Sequence, residues 1–221
     1  AAQITSSEHS FSRPWGVSPL FLLTQGYGVM VGPSMPILGE GEAEPNDTYL
    51  QQLTLSAEAA VSYLASRGIG DRTRMAIAGQ SYGAFTTANL LAHTDLFQAG
   101  IALSGAYNRT LTPFGFQGEQ RTFWQAPGTY MAMSPFAHAD QINHPLLLIH
   151  GAEDANPGTY PLQSERLYGA MRGLAGTVRW VELPHEGHGY RSREAIGHTL
   201  WEITRWLDFY LSPGEMAASA E

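Results

Sequence analysis

Cysteine and lysine are both missing from this chain of 221 residues. Without cysteine, the chain forms no disulfide, carries no thiol nucleophile and offers no cysteine-ligated metal site. Without lysine, Schiff-base chemistry and phosphate loops of the usual lysine type are excluded as well. These absences leave the compartment open, and a soluble, cytoplasmic protein is slightly favoured.

Positive charge is scarce, because 12 arginines stand against 20 acidic residues and give a formal net charge of −8 at pH 7. Nucleic-acid binding depends on clustered cations, so we expect no nucleic acid as a partner. No apolar run approaches the ~18 residues of a membrane span, and the first residues do not resemble a signal peptide, so no membrane is expected either. A hydrophobic content of 43% is sufficient for the core of one large domain.

Short apolar runs alternate with amphipathic helical patterns along the chain. Strands are predicted at 27–31, 75–78, 100–103, 146–149 and 178–183. Helices are predicted at 19–25, from a cap at Asn46 or Asp47 to Gly68, and at 84–93, 161–171 and 192–211. Residues 1–16 are predicted to be a loop or a frayed end, and 213–221 a disordered tail. The alternation favours an α/β fold, with a mostly parallel sheet and helices on both faces.

The most informative stretch is Gly79-Gln80-Ser81-Tyr82-Gly83, which follows an apolar run and leads into a helical pattern. In a strand-turn-helix of this kind, small neighbours permit a sharp bend that raises the serine hydroxyl above the sheet edge. The backbone N–H of Tyr82 then lies at the start of the helix, aimed at the oxyanion that forms when Ser81 attacks a carbonyl. The motif alone is weak evidence, because a glycine-rich turn is the plain alternative.

Two later strand ends carry the partners that a serine nucleophile needs. Asp154 follows the strand at 146–149 and His188 follows the strand at 178–183, so Ser, Asp and His occur in the chain order of α/β-hydrolases. We expect His188 to take the proton of Ser81 during attack and to pass it to the leaving group. Asp154 is expected to accept a hydrogen bond from the other ring nitrogen and to favour the imidazolium.

Both assignments have alternatives. Asp154 could instead cap the following helix, Glu153 is the rival acid and His185 is the rival base. His188 is preferred because the glycines on either side give its loop conformational freedom. A metal site at His185 and His188 is not expected, because their spacing is not His-Glu-x-x-His and the glycines disfavour a helix. The remaining histidines are expected to be solvent-facing or hydrogen-bonded structural groups.

Six stretches of the chain carry a resemblance to known proteins. They are Gly79–Ala84, Ala88–His93, Ser104–Phe116, Met133–Phe136, His150-Gly151 with Asp154 and Asn156, and His188-Gly189. Together they resemble the catalytic domain of prolyl oligopeptidase-like serine peptidases, and more closely the glutamyl endopeptidase branch. The resemblance runs from about Tyr27 to Leu211, and the string at 107–116 is much more specific than the serine motif.

The resemblance implies an α/β-hydrolase fold and a catalytic triad of Ser81, Asp154 and His188, with the Tyr82 N–H as one oxyanion donor. It also implies peptide substrates that are cut after acidic residues, glutamate foremost, through an acyl-enzyme on the serine. No cofactor and no metal ion are implied.

An acidic substrate requires a cation in the site, ideally an arginine that forms a bidentate pair with the carboxylate. Arg109 and Arg121 lie in the long, aromatic-rich connection from Ser104 to about Asp140 and are the candidates. Connections of this length are usually functional in compact domains. The alternative for both arginines is a structural ion pair.

One departure from the family concerns the start of the chain. Family members carry a β-propeller before the hydrolase domain and a second oxyanion donor, a tyrosine hydroxyl, on an early loop of that domain. This chain has no tyrosine before Tyr27 and only five predicted strands. We therefore expect 1–212 to be a C-terminal catalytic fragment that lacks the propeller and the first strands. The isolated chain should hydrolyse peptides poorly, and its own propeller portion is an expected partner.

Two other functions remain open. An esterase or lipase would use the same triad, because acyl transfer to Ser81 does not distinguish an amide from an ester. An interaction module would keep the fold and lose the chemistry, although the presence of all three triad residues argues against it. The sequence leaves the oligomeric state open, and an oligomer is possible.

Overall fold

The computed structural model describes residues 14–39, 41 and 43–212, so the predicted tail at 213–221 and most of the predicted N-terminal loop lie outside the described residues. Its centre is a sheet of four parallel strands in the order β1-β2-β3-β4. The strands are β1 (Ala76–Gln80), β2 (Ala99–Leu103), β3 (Leu146–Gly151) and β4 (Val178–Leu183). The parallel sheet that the sequence predicts is thus confirmed.

Five α-helices within the described ranges connect or flank these strands. They are α1 (Tyr49–Ser66), α2 (Tyr82–His93), α3 (Pro127–Ala132), α4 (Leu162–Gly173) and α5 (Arg193–Leu211). The connection from β2 to β3 contains α3 and two short 3₁₀-helices, at Arg109–Leu111 and Pro135–Gln141. Among the described residues, no helix is long and apolar enough to cross a membrane.

The core has one layer on each face of the sheet. Side chains alternate along a strand, so Leu146 and Leu148 of β3 join the layer that contains residues of α1, α2 and α4. Leu147 and Ile149 point the other way and join the layer that contains residues of α5. Helices therefore cover both faces, and the carboxyl ends of the four strands share one edge, where the loops of the site meet.

The prediction of a strand at Tyr27–Val31 is wrong. These residues form no strand, and Met30 and Val31 are 42% and 63% exposed. A strand must pair its backbone groups with a neighbour, and within the described part of the chain nothing pairs with the outer edge of β1. An apolar run without such a partner stays irregular, so only four of the five predicted strands are present.

The cap predicted for α1 is also wrong. The N-cap is Thr48, and its side chain makes no capping hydrogen bond. Asn46 instead donates to the carbonyl of Gly118 at 2.8 Å, while Asp47 accepts from Arg121. Both side chains therefore hold the long connection rather than the helix.

Candidate active site

Ser81 forms a strained turn between β1 and α2. Its φ of 57° and ψ of −115° lie in a region that non-glycine residues rarely adopt, at a cost of about 1–3 kcal/mol. Two backbone hydrogen bonds hold the turn, from the Ser81 N–H to the Leu103 carbonyl at 2.9 Å and from the Phe85 N–H to the Ser81 carbonyl at 3.1 Å. This strain is typical of a serine that a strand-to-helix turn presents to solvent.

The two glycines of the motif differ in their surroundings. A Cβ built on Gly79 would collide with the backbone of Gly83, whereas a Cβ on Gly83 would meet nothing within 4 Å. The close approach of the strand end and the helix start therefore requires glycine at the first position only. The motif alone predicts that both glycines are needed as small neighbours of Ser81. The structure shows that a side chain would be excluded at Gly79 but not at Gly83.

His188 and Asp154 form the hydrogen bond that the sequence predicts. The Nδ1 of His188 lies 2.9 Å from Oδ2 of Asp154, whose side chain is wholly buried. The backbone N–H of Asn156 donates to the other carboxylate oxygen at 2.9 Å. Because Nδ1 is used in this way, Nε2 of His188 is the nitrogen left free of Asp154. Among the described residues, His188 makes no hydrogen bond with the Ser81 hydroxyl, so the structure joins the acid to the base but not the base to the serine.

A second imidazole and a hydroxyl also contact Asp154. The Nε2 of His150 lies 3.0 Å from Oδ2, and the Thr159 hydroxyl lies 3.3 Å from it. The same hydroxyl lies 3.2 Å from Nδ1 of His188. Burial lowers the pKa of His150, which is wholly enclosed. The acid is therefore surrounded by hydrogen-bond donors.

The rival acid and base pair with each other instead. Glu153 and His185 lie 3.1 Å apart, and their side chains are 63% and 90% exposed. Neither contacts Asp154 or His188 within hydrogen-bond distance. The alternatives raised by the sequence thus contact each other at the surface, and Asp154 and His188 contact each other beneath them.

Several hydrogen bonds fix the loop that carries His188. Gln80, the residue before Ser81, donates its side-chain amide to the His188 carbonyl at 2.8 Å. The Tyr190 hydroxyl donates to the Ile149 carbonyl at 2.9 Å. The bond from Gln80 joins the serine turn to the histidine loop directly.

Glu186 anchors the same loop to α5. It is 4% exposed, and it accepts hydrogen bonds from the N–H groups of Arg191 at 2.7 Å and Ser192 at 2.9 Å. Burial alone would raise the pKa of Glu186, but the hydrogen bonds from Ser192 and Arg191 outweigh it and lower the pKa. An ionised carboxylate therefore holds the end of the histidine loop.

The acid loop and the histidine loop touch through their backbones. A Cβ built on Gly151, at the end of β3, would collide with the carbonyl oxygens of Glu186 and Gly187. The Glu153 N–H donates to the Glu186 carbonyl at 2.8 Å. No side chain larger than hydrogen fits at Gly151 unless one of the loops moves.

The two candidate arginines have opposite surroundings. Arg121 makes a bidentate pair with Glu119, at 2.9 and 2.8 Å, and contacts Asp47 at 2.7 Å. Arg109 is 5% exposed, and its guanidinium lies 3.8 Å from the centre of the Phe85 ring and 4.5 Å from that of Phe116.

No carboxylate of the described residues pairs with Arg109, and its Nε is buried without a hydrogen-bond partner. Burial lowers its pKa to about 10, partly offset by the nearby hydroxyls of Tyr49, Tyr82 and Tyr130. The side chain is therefore charged at neutral pH without a counter-charge.

Sequence reasoning missed three polar side chains that organise the site. Thr159 contacts both Asp154 and His188, and Gln80 joins the serine turn to the histidine loop. Gln163 on α4 is buried, and its Oε1 accepts the N–H groups of both Tyr107 and Asn108, just before Arg109. Of these three, only Gln80 could have been singled out from the sequence, because it lies inside the serine motif. No group of three or more potential metal ligands occurs among the described residues.

The strained serine turn, followed by an acid and a histidine on later strand ends, identifies the class of the protein as α/β-hydrolase. The model of the prolyl oligopeptidase family, a peptidase family, matches residues 56–214. The chain therefore belongs to the prolyl oligopeptidase family, as the resemblance implies.

Two curated plant proteins are similar over nearly the whole chain. One is named probable glutamyl endopeptidase, chloroplastic, from Arabidopsis thaliana, with 53% identity over 96% of this chain and 22% of its own length. The other has the same name and comes from Oryza sativa subsp. japonica, with 50% identity over 100% of this chain and 24% of its own length. This chain thus spans about a quarter of the length of these relatives. Their names place them in the chloroplast, whereas the sequence favoured the cytoplasm for this chain.

A solved structure supports the same fold. The structure of a puromycin-hydrolyzing peptidase from Mycobacterium tuberculosis aligns with a TM-score of 0.63 and 28% identity. The alignment covers 72% of this chain and 25% of that one. The four-stranded sheet and its helices therefore correspond to part of a larger peptidase.

Proposed function

We propose that the chain supplies the catalytic machinery of a serine peptidase that cuts peptide bonds after acidic residues. The hydroxyl of Ser81 attacks the carbonyl carbon of the substrate, and its proton passes to Nε2 of His188. The tetrahedral intermediate then collapses, and the leaving amine takes that proton. Water then attacks the acyl-enzyme while His188 accepts its proton, and His188 returns that proton to the Ser81 oxygen as the acyl C–O bond breaks and the acid is released.

Asp154 is proposed to orient His188 and to stabilise its imidazolium. The 2.9 Å contact between Oδ2 and Nδ1 supports this role, because it fixes the ring with Nε2 directed away from the acid. The bond from Gln80 to the His188 carbonyl supports it further, since it joins the base's loop to the residue next to the nucleophile.

The N–H of Tyr82 is proposed as one donor to the oxyanion. Tyr82 is the first residue of α2, so its N–H has no carbonyl one turn earlier within the helix. The positive end of the helix dipole adds to the attraction for a negative oxygen. Loss of a donor of this kind typically lowers the rate by ~100 to 1,000-fold.

The observation that carries the acidic specificity is the buried, uncompensated charge of Arg109. Phe85, which stacks on its guanidinium, lies one helical turn after Ser81 and donates its N–H to the Ser81 carbonyl. A buried cation without a counter-charge is costly, and a substrate carboxylate that pairs with it removes that cost. Arg121 already meets two carboxylates, so Arg109 is the stronger candidate for reading the substrate.

The names of the plant relatives support this specificity, since both are called glutamyl endopeptidases. We also propose that a peptide substrate and the remainder of a longer polypeptide, including a β-propeller, are the partners of this chain. The remainder would supply the second oxyanion donor, so the isolated chain should cleave slowly.

The test compares two peptides that are identical except for Glu or Gln at the residue before the cut. The longer protein that contains this chain should cleave the Glu peptide with the higher kcat/KM, and Ser81→Ala should abolish both reactions. Labelling of the unsubstituted longer protein, the parent, by a fluorophosphonate, with no labelling of its Ser81→Ala variant, identifies Ser81 as the nucleophile. Equal cleavage of both peptides would reject the acidic specificity, and faster turnover of a short acyl ester than of either peptide would favour an esterase.

A further inference from the structure

His150 is a second imidazole on the acid of the site, in addition to His188. Its Nε2 lies 3.0 Å from Oδ2 of Asp154, the same oxygen that lies 2.9 Å from Nδ1 of His188. Both His150 and the Asp154 side chain are wholly buried. The position of His150 follows from the sheet, because it is the penultimate residue of β3, at the edge where the loops meet.

The contacts of His150 determine where its proton lies. Its Nε2 is 2.6 Å from the carbonyl oxygen of Thr159, and a carbonyl can only accept. Nε2 therefore carries the hydrogen, which it shares between this carbonyl and Asp154. Its Nδ1 is 2.7 Å from the Ser164 hydroxyl on α4, which can donate to it. The neutral ring with hydrogen on Nε2 satisfies every contact, and burial, which lowers the pKa of His150, favours that neutral form.

We propose that His150 is a positioning residue, which holds the Asp154 carboxylate through Nε2–H and withdraws negative charge from the oxygen that faces His188. The proposal rests on the proposed roles of Asp154 and His188. A hydrogen bond to the charged form of a carboxylate stabilises that form and makes it a weaker base. Asp154 then stays ionised, but its electrostatic attraction for a protonated His188 is weaker. His188 therefore releases its proton to the leaving group more readily.

Other ionisable groups around this cluster are accounted for. They are the Glu153 and His185 pair at the surface, Glu186 and Arg191 at the end of the histidine loop, and Tyr190 and Tyr107 beside β3. None of them contacts His150 within hydrogen-bond distance. Burial raises the pKa of both tyrosines, so they stay neutral in the range of pH where a histidine titrates.

The test uses two variants of nearly equal shape, His150→Gln and His150→Met, in the full chain. The Gln side chain can place an N–H where Nε2 of the imidazole lies, whereas Met cannot donate. The first readout is the titration of the His188 ring, followed by NMR, which does not depend on turnover. The second is the rate of fluorophosphonate labelling of Ser81 as a function of pH.

In His150→Met, we expect the midpoint of the His188 titration to move to higher pH by about one unit, a tenfold gain in proton affinity. The low-pH side of the curve of Ser81 labelling rate against pH should move to higher pH by the same amount. His150→Gln should stay within about twofold of the parent, because the donor is restored. Equal midpoints in the parent and in His150→Met would overturn the proposal, and so would equal shifts in both variants, which would show that His150 acts only through packing.

A third measurement needs no substitution, so it holds even where His150→Met fails to fold. The nitrogen resonances of His150 in the parent should report the neutral ring with hydrogen on Nε2 at neutral pH. A ring protonated on Nδ1 would overturn the proposal. Absence of Ser81 labelling in the parent would instead reject the proposed function, while both NMR readouts would still decide the role of His150.

Discussion

Arg109 and Arg121 lie in the same connection between β2 and β3, yet their surroundings are opposite. Arg121 makes its three charged hydrogen bonds with Glu119 and Asp47. Arg109 lies between two aromatic rings, and no acid of the described chain pairs with it. An arginine whose charge is already matched contributes to the fold, whereas the one whose charge is buried and unmatched is the one we propose to pair with a substrate carboxylate.

The glycines of the serine motif show the same difference between residues of one type. Gly79 has no room for a side chain, while Gly83 faces open space. In both pairs, the role of a residue follows from its neighbours and not from its identity. Each substitution below tests whether the members of a pair really differ.

The largest effect is expected from the glycine pair. Gly79→Ala should lower kcat/KM by about 1,000-fold or more, because the new methyl group displaces the turn that holds Ser81 and the oxyanion donor next to it. Gly83→Ala should stay within about threefold of the parent, since nothing lies near its new methyl group. Peptide hydrolysis measures both rates, and circular dichroism checks that each variant folds. Equal losses would show that the two glycines do not differ.

The arginine pair should affect substrate choice next. Arg109→Met should reduce the preference for Glu over Gln peptides from about 100-fold to near one, because the charged hydrogen bonds to the substrate are lost. Arg109→Lys should keep part of the preference, since it retains the charge without the planar fork. The ratio of kcat/KM for the two peptides is the measurement. If the ratio stays unchanged in Arg109→Met but falls to near one in Arg121→Met, then Arg121, and not Arg109, pairs with the substrate carboxylate.

Arg121→Met should act on stability instead. Glu119 is 3% exposed, so loss of its partner leaves a buried carboxylate with only weaker donors and should cost about 1–3 kcal/mol in the free energy of unfolding. The double variant Arg121→Met with Glu119→Gln should recover part of this loss. Urea unfolding measures the cost, and the preference for Glu over Gln peptides serves as the unaffected control.

The smallest expected effect is on the pH dependence of the free energy of unfolding. The hydrogen bonds from Arg121 lower the pKa of Glu119 and of Asp47 below their ordinary values of 4.5 and 3.8. Each carboxylate therefore contributes stability that is fully present above its ordinary pKa and is lost as the pH falls through the lowered value. Between about pH 6 and about pH 3, the free energy of unfolding should fall more steeply in the parent than in Arg121→Met. Parallel pH curves would show that the ion pairs contribute nothing measurable.

The sequence predicted well those features that depend on local pattern. The serine turn, four strands and the order of Ser81, Asp154 and His188 follow from apolar runs, glycines and strand ends. The contact between Asp154 and His188 was predictable because carboxyl ends of parallel strands share one edge. The catalytic roles of these residues remain predictions.

Features that depend on a distant partner were not predictable. The segment 27–31 has the composition of a strand but lacks a neighbour among the described residues, so it is irregular. Asn46 and Asp47 are good capping residues by type, but the long connection occupies their side chains. The difference between Arg109 and Arg121 likewise arises from residues far away in the chain.

Gly151 has a consequence for how this fold can vary. The segment after β3 and the segment after β4 meet main chain to main chain there, with no side chain between them to absorb a change. An insertion in one segment would push directly on the other, so the two can change length only in concert. Related enzymes should therefore show coupled insertions and deletions at these two places, and a graft of one segment alone should fail where a graft of both succeeds.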